Sequence, residues 1–370
     1  MRIAQVAPLY ESVPPKLYGG TERVVYYLTE ALIELGHDVT LFASGDSNTS
    51  AKLISHTEEA LRLNPNCVDA IAHQIVQIQD VIERADEFDI IHFHIDYFHF
   101  PFTENLSIPY VTTLHGRLNI PDLKYIYDKF SNQPLISISD AQRKPLPQAH
   151  FIQTVYHGLP VNLLPPGAGE GGYLAFLGRV SPEKGLPAAI EIAKAAGIPL
   201  KIAAKVDKAD QEYFENAIQP LLNHPLIEFL GEINERQKGA FLGNALALLF
   251  PINWCEPFGL VMIEAMACGT PVIAHPMGSV PEVIEHGKNG FLVNSVEEAV
   301  RAVKQLNKLP RATIRKAFEE RFTDRRMALD YLEAYKKMIR QKHTVTTLAN
   351  IDNNPLPTIT AATKELMIIR

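Results

Sequence analysis

Short apolar runs alternate with longer amphipathic segments along the first half of the chain. The segments 20–35 and 68–86 have the spacing typical of helices, and Gly36 is suited to end the first of them. Apolar runs that alternate with helices are typical of a parallel sheet covered on both faces. We predict strands at residues 2–7, 39–44, 90–95, 109–115, 134–139 and 151–156.

The same alternation restarts after residues 157–172, a segment dense in proline and glycine that is typical of a linker. From residue 297 to about residue 342 the pattern is mainly helical. Further strands are predicted at residues 173–178, 200–204, 227–231, 247–250, 271–274 and 290–293. Ligands of open α/β sheets bind beyond the carboxyl ends of the strands, so two such halves predict a cleft between them.

These patterns divide the chain into two α/β domains. We assign residues 1–160 to an N-terminal domain and residues 161–322 to a C-terminal domain. A C-terminal helix at about 323–342 is expected to join the N-terminal domain. Residues 343–370 have no clear period and are expected to form a loose tail.

Composition narrows the classes of protein. The chain has 370 residues, 46% of them hydrophobic, and a formal net charge of −7. A protein that binds nucleic acid is usually basic, so the charge argues against that partner. The three cysteines form no CxxC pair, and no signal peptide or membrane-spanning run is present in the sequence. We therefore expect a cytoplasmic protein, and peripheral contact with a membrane surface is compatible with this composition.

Two glycine-rich segments are candidates for binding phosphate. Gly167, Gly169 and Gly172 match G-x-G-x-x-G, but they follow two prolines and precede a strand, whereas the dinucleotide fingerprint follows a strand and opens a helix. A linker is therefore favoured there. Gly19 and Gly20 directly precede the first predicted helix, where backbone amides can approach an anion; a plain turn explains them equally well.

Two cations follow the first strand of the second half. Arg179 and Lys184 lie in the sequence GRVSPEKG, directly after the strand predicted at 173–178. Two positive charges in such a loop suit a diphosphate, and the guanidinium fork matches phosphate oxygens. The alternative is a solvated pair of surface charges. The position at the carboxyl end of a strand favours the binding role.

The most specific segment is EPFGLVMIEAMACGTPVI, which starts at Glu256. Pro257 suits a helix start, and Gly259 allows close approach of a ligand to the helix N-terminus. Glu264 lies inside an otherwise apolar helix, where a carboxylate needs a hydrogen-bonding partner. Sugar hydroxyls and a buried structural network both meet that need. Trp254 is compatible with a core position and with the wall of a sugar pocket.

This segment, with Glu256 and Glu264, resembles the E-x7-E signature of glycosyltransferase family 4. GRVSPEKG resembles the donor-phosphate loop of that family, YGGTERV its N-terminal glycine loop, and Thr113-Leu114-His115-Gly116 the end of its fourth strand. The resemblance runs in order from about residue 2 to residue 340. It implies the GT-B fold, in which two Rossmann-like domains face each other across a cleft, with the acceptor on the N-terminal domain and the donor on the C-terminal domain.

The resemblance also implies an activity: a retaining hexosyltransferase that uses a nucleotide-sugar, with UDP-sugar as first choice, and a hydroxyl acceptor on a glycan, a lipid or a small metabolite. The nucleotide-sugar is a substrate, so no cofactor is expected, and no metal is expected in the donor site. The reaction would be a front-face displacement. Residues 231–237 would lie near the nucleobase. The catalytic residues would be His115, Glu256, Arg179 and Lys184. The donor-binding residues would be Gly19, Gly20, Arg179, Lys184, Glu256, Pro257, Phe258, Gly259, Leu260 and Glu264.

Some features depart from the family or admit another function. The hinge reads His157-Gly158-Leu159-Pro160, without the aspartate of the family's N-G-[IV]-D pattern. A nucleotide-sugar epimerase of the same fold and a non-catalytic nucleotide-sugar binding protein remain alternatives. His92, His94 and His99 suggest a metal site, and His92 and His94 share one face of the predicted strand. A zinc site needs a third ligand on that face; no nearby cysteine or suitably spaced histidine supplies it, and Asp96 is possible but unsupported, so packed or cleft-facing histidines are favoured.

Overall fold

The structure, a computed structural model, describes residues 1–16, 19–62 and 64–352, with side chains to residue 342. The first half forms a seven-stranded sheet whose strands pair in parallel. The strands are β1 (Arg2–Val6), β2 (Asp38–Phe42), β3 (Lys52–Ile54), β4 (Ile90–Phe93), β5 (Tyr110–Thr113), β6 (Leu135–Ser137) and β7 (Phe151–Thr154), in the order β3-β2-β1-β4-β5-β6-β7. The six predicted strands are confirmed. Strand β3 was not predicted, because it is a three-residue edge strand without a fully buried position.

Helices cover the faces of this sheet. They are α1 (Gly20–Glu34), α2 (Ala70–Glu83), α3 (Phe100–Thr103), α4 (Leu123–Lys129) and α5 (Asp140–Arg143). Helix α1 buries Val24, Leu28 and Leu32, which recur every four residues along one face. Gly36 follows its end with a φ of 83°, a conformation that glycine adopts without steric cost.

The second half repeats the arrangement with a six-stranded parallel sheet. Its strands are β8 (Leu174–Arg179), β9 (Leu200–Lys205), β10 (Ile227–Gly231), β11 (Ala247–Phe250), β12 (Val272–Ala274) and β13 (Gly290–Leu292), in the order β10-β9-β8-β11-β12-β13. The helices are α6 (Leu186–Ala196), α7 (Gln211–Tyr213), α8 (Glu235–Asn244), α9 (Leu260–Ala267), α10 (Val280–Val283), α11 (Val296–Val303), α12 (Arg311–Arg321) and α13 (Asp324–Asp352). All six predicted strands are confirmed here too.

The chain crosses between the two halves twice, and the two crossings pair with each other. The Leu159 amide donates to the Phe322 carbonyl at 2.9 Å, and the Asp324 amide donates to the Leu159 carbonyl at 3.0 Å. A Cβ atom on Gly158 would overlap the Thr323 carbonyl, so the close approach requires glycine. Helix α13 then packs against α1 and β5, so the end of the described chain returns to the first half.

The glycine-rich linker is bonded to the backbone of the second half. The Gly167 amide donates to the Cys268 carbonyl and the Gly169 amide to the Gly243 carbonyl, both at 3.0 Å. The Arg311 guanidinium donates to the Gly167 carbonyl at 2.7 Å. The segment leads into β8 and opens no helix, as a linker does.

Helix α13 extends to Asp352, past the end at about residue 342 that the sequence pattern predicts. The remainder of the expected loose tail, residues 353–370, lies outside the described residues. Within the described part of the chain, no helix combines the length and apolar character needed to cross a bilayer.

Candidate active site

A cleft of about 550 Å³ lies at the carboxyl ends of both sheets and is lined by residues of both halves. The starts of α1 and α9 meet across it: a Cβ atom placed on Gly20 would lie 3.8 Å from Leu260 Cδ1. The first amides of a helix carry partial positive charge and lack intrahelical partners. Two helix N-termini on opposite walls therefore create a region that favours an anion.

Glycine is required directly before both helices, for backbone conformation at Gly259 and for lack of space at Gly19. Gly259 has a φ of 81° and precedes α9, whereas a side chain on Gly19 would collide with Pro15, 2.7 Å from the Cβ position. Tyr18, which precedes Gly19 in the glycine loop, lies outside the described residues. Pro257 and Phe258 also line the cleft, and the buried Phe258 ring packs edge-on against His157 at 4.8 Å.

Three side chains interact where the loop after β8 meets the loop after β11. Lys184 Nζ lies 2.5 Å from Glu256 Oε2. Trp254 Nε1 donates to the same carboxylate oxygen at 3.0 Å, and the ammonium lies 4.9 Å from the centre of the Trp254 ring. Of the two interpretations of Trp254, the cleft wall is the one that the structure favours. Lys184 and Glu256 come from different loops, so the fold brings together two predicted site residues.

Arg179 lies at the end of β8 beside three carboxylates. Its guanidinium donates to Glu183 Oε1 at 2.9 Å, and it lies 3.7 Å from Asp207 and 3.6 Å from Asp210. Gly185, with a φ of 72°, closes the loop so tightly that a Cβ atom there would overlap the Pro251 carbonyl. The cationic loop is thereby held against the loop that carries Glu256.

Glu264 has a structural partner in the second half. Lys238 of α8 donates to its carboxylate at 2.7 Å, and the same ammonium lies 3.4 Å from Glu235. Arg23 of α1 pairs with Glu235, so this charge network spans both walls of the cleft. The loop predicted to lie near the nucleobase, residues 231–237, leads directly into α8 and lines the cleft in part. Arg179 and Glu264, which the sequence places far apart, thus line one cleft.

The histidines of the first half are hydrogen-bonded to protein groups. His92 contacts Thr113 Oγ1 at 2.7 Å, and His99 contacts Thr112 Oγ1 at 2.8 Å. Burial lowers the pKa of both imidazoles well below the usual value. The described residues contain no group of three or more His, Cys, Asp or Glu side chains that could hold a metal ion.

His115 lies just after β5 and lines the cleft from the first half. Its Nε2 is 2.9 Å from His94 Nδ1, and its ring stacks on His157 at a centroid distance of 5.4 Å. Burial lowers the pKa of His115 to about 3, so the imidazole is neutral. The predicted residues of both halves therefore share one cleft.

The sequence did not indicate the rest of the first-half wall. Gln74 of α2 is fully buried, and neither polar atom of its amide has a partner among the described residues. Asp96, just after β4, has a φ of 50° and is exposed at the cleft wall. Arg62 lines the same wall and pairs with Glu11 at 3.0 Å. In the sequence, Asp96 gives only the weak signal of a carboxylate close to His92 and His94, and a glutamine within a helix gives no signal.

Two parallel-sheet α/β domains that enclose a cleft are the GT-B class of fold. Comparisons with known proteins assign the family. Residues 167–324 match the model "Glycosyl transferases group 1", and residues 18–155 match the model "Glycosyltransferase Family 4". The chain belongs to glycosyltransferase family 4 and is a glycosyltransferase. The fold class and enzyme class expected from the sequence are confirmed.

Related sequences match over most of the chain. A phosphatidyl-myo-inositol mannosyltransferase of Mycobacterium leprae is 24% identical over 94% of this chain and 98% of the relative. An uncharacterized glycosyltransferase of Methanocaldococcus jannaschii is 26% identical over 79% of this chain and 85% of the relative.

Solved structures share the fold. Sucrose-phosphate synthase from Thermosynechococcus elongatus superimposes with a TM-score of 0.74 at 18% identity, covering 92% of this chain and 100% of that one. AviGT4, from avilamycin A biosynthesis, gives a TM-score of 0.70 at 24% identity over 92% and 98%. Anabaena HepE in complex with UDP-glucose gives 0.68 at 18% identity over 91% and 100%.

Proposed function

We propose that this chain transfers a hexose from a nucleoside-diphosphate sugar, with UDP-sugar as first choice, to a hydroxyl of an acceptor, with retention of the anomeric configuration. The observation that carries the proposal is the convergence of Arg179, Lys184, Glu256 and Glu264 with His115 of the other half on one cleft. The structures of HepE with UDP and with UDP-glucose support the choice of donor.

Charge stabilisation of the leaving group is the main catalytic task of the proposed site. Negative charge develops on the diphosphate as the bond to the sugar breaks. Arg179 and Lys184, with the N-termini of α1 and α9, would stabilise that charge without a metal ion. Glu183 and Glu256 now accept hydrogen bonds from these cations, so the diphosphate would replace carboxylates as their partner.

Glu256 and Glu264 would bind the sugar and the ribose. Once Lys184 contacts the phosphate, the carboxylate of Glu256 can accept hydrogen bonds from sugar hydroxyls while Trp254 Nε1 keeps it in place. Glu264, fixed by Lys238, can accept from the ribose hydroxyls. In the front-face displacement that we propose, an oxygen of the donor phosphate takes the proton of the acceptor hydroxyl.

The acceptor would lie on the first-half wall. Gln74, with a buried amide that has no partner among the described residues, and Asp96 offer a donor and acceptors to a hydroxyl-bearing molecule. Arg62 adds a cation at the edge of this wall. Glycan, lipid and small-metabolite acceptors all present hydroxyls, so an acceptor panel should include each class.

Arg179→Ala and Lys184→Ala test the proposal. Both variants should lose transfer by at least about a hundredfold, because a charged hydrogen bond to the leaving group is lost. Lys288→Ala removes an exposed, ion-paired lysine of the same domain and is the matched control. Circular dichroism and thermal unfolding verify that the variants fold. Near-normal turnover in both site variants would overturn the assignment.

Donor and reaction type are tested together. A thermal-shift panel with UDP, GDP and ADP identifies the base, since a ligand at 100 times its dissociation constant stabilises by roughly 2.7 kcal/mol. Nuclear magnetic resonance of the product then shows whether the anomeric configuration is retained. Conversion of the donor without any acceptor would indicate an epimerase. Binding without turnover across the acceptor panel would indicate a non-catalytic binder.

A further inference from the structure

Two histidines that line the cleft, His115 and His157, each have one ring nitrogen without a hydrogen-bond partner among the described residues, and His115 is the one that belongs to a chain of hydrogen bonds. Nδ1 of His115 is buried and has no hydrogen-bond partner among the described residues, although His115 itself lines the cleft. Its other nitrogen, Nε2, lies 2.9 Å from His94 Nδ1. Two nitrogens at that distance share one proton, so one ring donates and the other accepts. If His115 donates through Nε2, its Nδ1 is unprotonated and can accept a hydrogen bond. If His94 donates, Nδ1 of His115 carries the proton and can only donate.

Gln5 decides the direction. This buried residue of β1 directs Oε1 toward His94 Nε2 at 2.8 Å, and its Nε2 donates to the Tyr335 hydroxyl at 3.0 Å. A carbonyl oxygen only accepts, so His94 carries its proton on Nε2. Burial lowers the pKa of His94 well below the usual value, so the ring is neutral and its Nδ1 is bare. His94 Nδ1 therefore accepts from His115 Nε2–H.

We propose that Gln5 and His94 are positioning residues that hold His115 in its Nε2–H tautomer, so that its bare Nδ1 accepts a hydrogen bond from a hydroxyl of the transferred sugar. The proposal rests on the proposed function for the identity of the ligand. The tautomer itself is a property of the protein alone. The proposal assigns a role to Gln5 on β1 and to His94 directly after β4, two buried polar residues that no charge or motif in the sequence explains.

The chain of bonds continues on the far side of Gln5 and fixes it in turn. The Tyr335 hydroxyl, which accepts from Gln5, also lies 2.7 Å from His92 Nδ1, and His92 Nε2 lies 2.7 Å from Thr113 Oγ1. With the hydroxyl proton directed to His92 Nδ1, each of these groups has one donor and one acceptor partner. Helix α13, which carries Tyr335, thus stabilises the orientation of the Gln5 amide.

Nitrogen-15 spectroscopy of histidine-labelled protein tests the tautomer without substrate. The His115→Asn variant assigns the His115 signals by their loss. In the unaltered protein we expect the nitrogen-15 chemical shift of a protonated nitrogen for His115 Nε2 and that of an unprotonated nitrogen for His115 Nδ1. The reverse pattern, with the proton on Nδ1, would overturn the proposal whatever the enzyme transfers.

Gln5→Met tests the positioning role, and Gln77→Met is its matched control. Gln77 is also a buried glutamine of the first half, but it donates to the Ala7 carbonyl outside this chain of bonds. Gln5→Met should redistribute the His115 tautomer and lower kcat/KM for UDP-glucose roughly tenfold, the equivalent of one hydrogen bond. Its affinity for UDP, which has no sugar to contact His115, should be unchanged.

The outcomes separate this proposal from the proposed function. If Gln5→Met and Gln77→Met lose kcat/KM equally, Gln5 has only a packing role and the inference is rejected. The inference is also rejected if Gln5→Met loses as much affinity for UDP as it loses in kcat/KM. Absence of turnover in the unaltered protein with every nucleotide-sugar would refute the proposed function. In that case the tautomer measurement would still decide whether Gln5 orients His115.

Discussion

At the scale of single residues, three cations that line the cleft are paired with carboxylates of the protein. Lys184, Arg179 and Lys238 each bond a carboxylate at 2.9 Å or less. Such pairs keep partly buried charges compensated, because an isolated buried charge is costly. The same pairs hold each cation at the distance from which a diphosphate or a ribose could be bound.

Glu264→Gln tests the nucleotide-binding role at this scale. The substitution removes the charged acceptor and should weaken UDP binding by about tenfold or more, because a charged hydrogen bond is replaced by a neutral one. Isothermal titration calorimetry measures the affinity. Glu285→Gln, which alters an exposed ion pair with Lys288, should bind UDP normally. Equal affinities in all three proteins would remove Glu264 from the proposed site.

Glu22 predicts a pH dependence of stability. It is buried near the start of α1, and burial raises its pKa to about 7 from 4.5. Between these values the folded chain binds more protons than the unfolded chain, so its stability falls as pH rises from 4.5 through 7. Relative to Glu22→Gln, the unaltered protein should lose up to about 3 kcal/mol of unfolding free energy between pH 4 and pH 8.

Urea denaturation at several pH values measures this difference. Glu34→Gln changes an exposed carboxylate on the same helix and should follow the unaltered protein across the range. Parallel stability curves for Glu22→Gln and the unaltered protein would show that the carboxyl does not change protonation in this interval.

At the scale of elements, tight backbone crossings fix the geometry of the site. The pairing of residues around Leu159 with the chain near Phe322 sets where the two halves join. The family's N-G-[IV]-D hinge pattern ends in an aspartate, and this chain has Pro160 at that position. Backbone hydrogen bonds, which depend little on side-chain identity, nevertheless hold the crossing together.

Gly158→Ala should destabilise the protein. The added Cβ atom would overlap the Thr323 carbonyl. This clash can be removed only if the chain at residue 158 moves away from the chain at residue 323. We expect a loss of about 2 kcal/mol or more in unfolding free energy from urea denaturation. Gly116→Ala is the control, since a Cβ atom there meets nothing within 4 Å, and it should change stability by less than about 0.5 kcal/mol. If Gly158→Ala left the free energy of unfolding unchanged, the two chain crossings at the hinge could move apart without loss of stability.

At the scale of the whole molecule, the cleft depends on how the two halves face each other. Arg23 of the first half and Glu235 of the second form an ion pair that is 11% and 26% exposed. Glu282 of the second half accepts from the amides of Asp140 and Ala141 at the start of α5, at 2.8 and 2.7 Å. Both contacts join the two halves, and Arg23 and Glu235 also line the cleft.

A double-mutant cycle with Arg23→Met and Glu235→Gln measures the coupling across the cleft. We expect a coupling of about 1 to 3 kcal/mol in unfolding free energy, because both groups are largely removed from solvent. The exposed pair Arg2–Asp89 within the first half is the control and should give less than about 1 kcal/mol. A coupling near zero would indicate that the two halves do not hold this arrangement in solution.

The sequence alone determined the alternation of strands and helices, because apolar runs and glycine positions are local signals, and it determined the family through four ordered motifs. It did not reveal β3, whose three edge residues form no buried apolar run. It did not reveal the Gln5–His94–His115 chain of hydrogen bonds, or the buried Gln74 amide that has no partner within the described part of the chain. These features arise where β1, β4, β5 and α2 meet, and contacts between residues distant in sequence leave no periodic trace in the chain. Only the tertiary structure decides which buried polar groups face each other and which face the cleft.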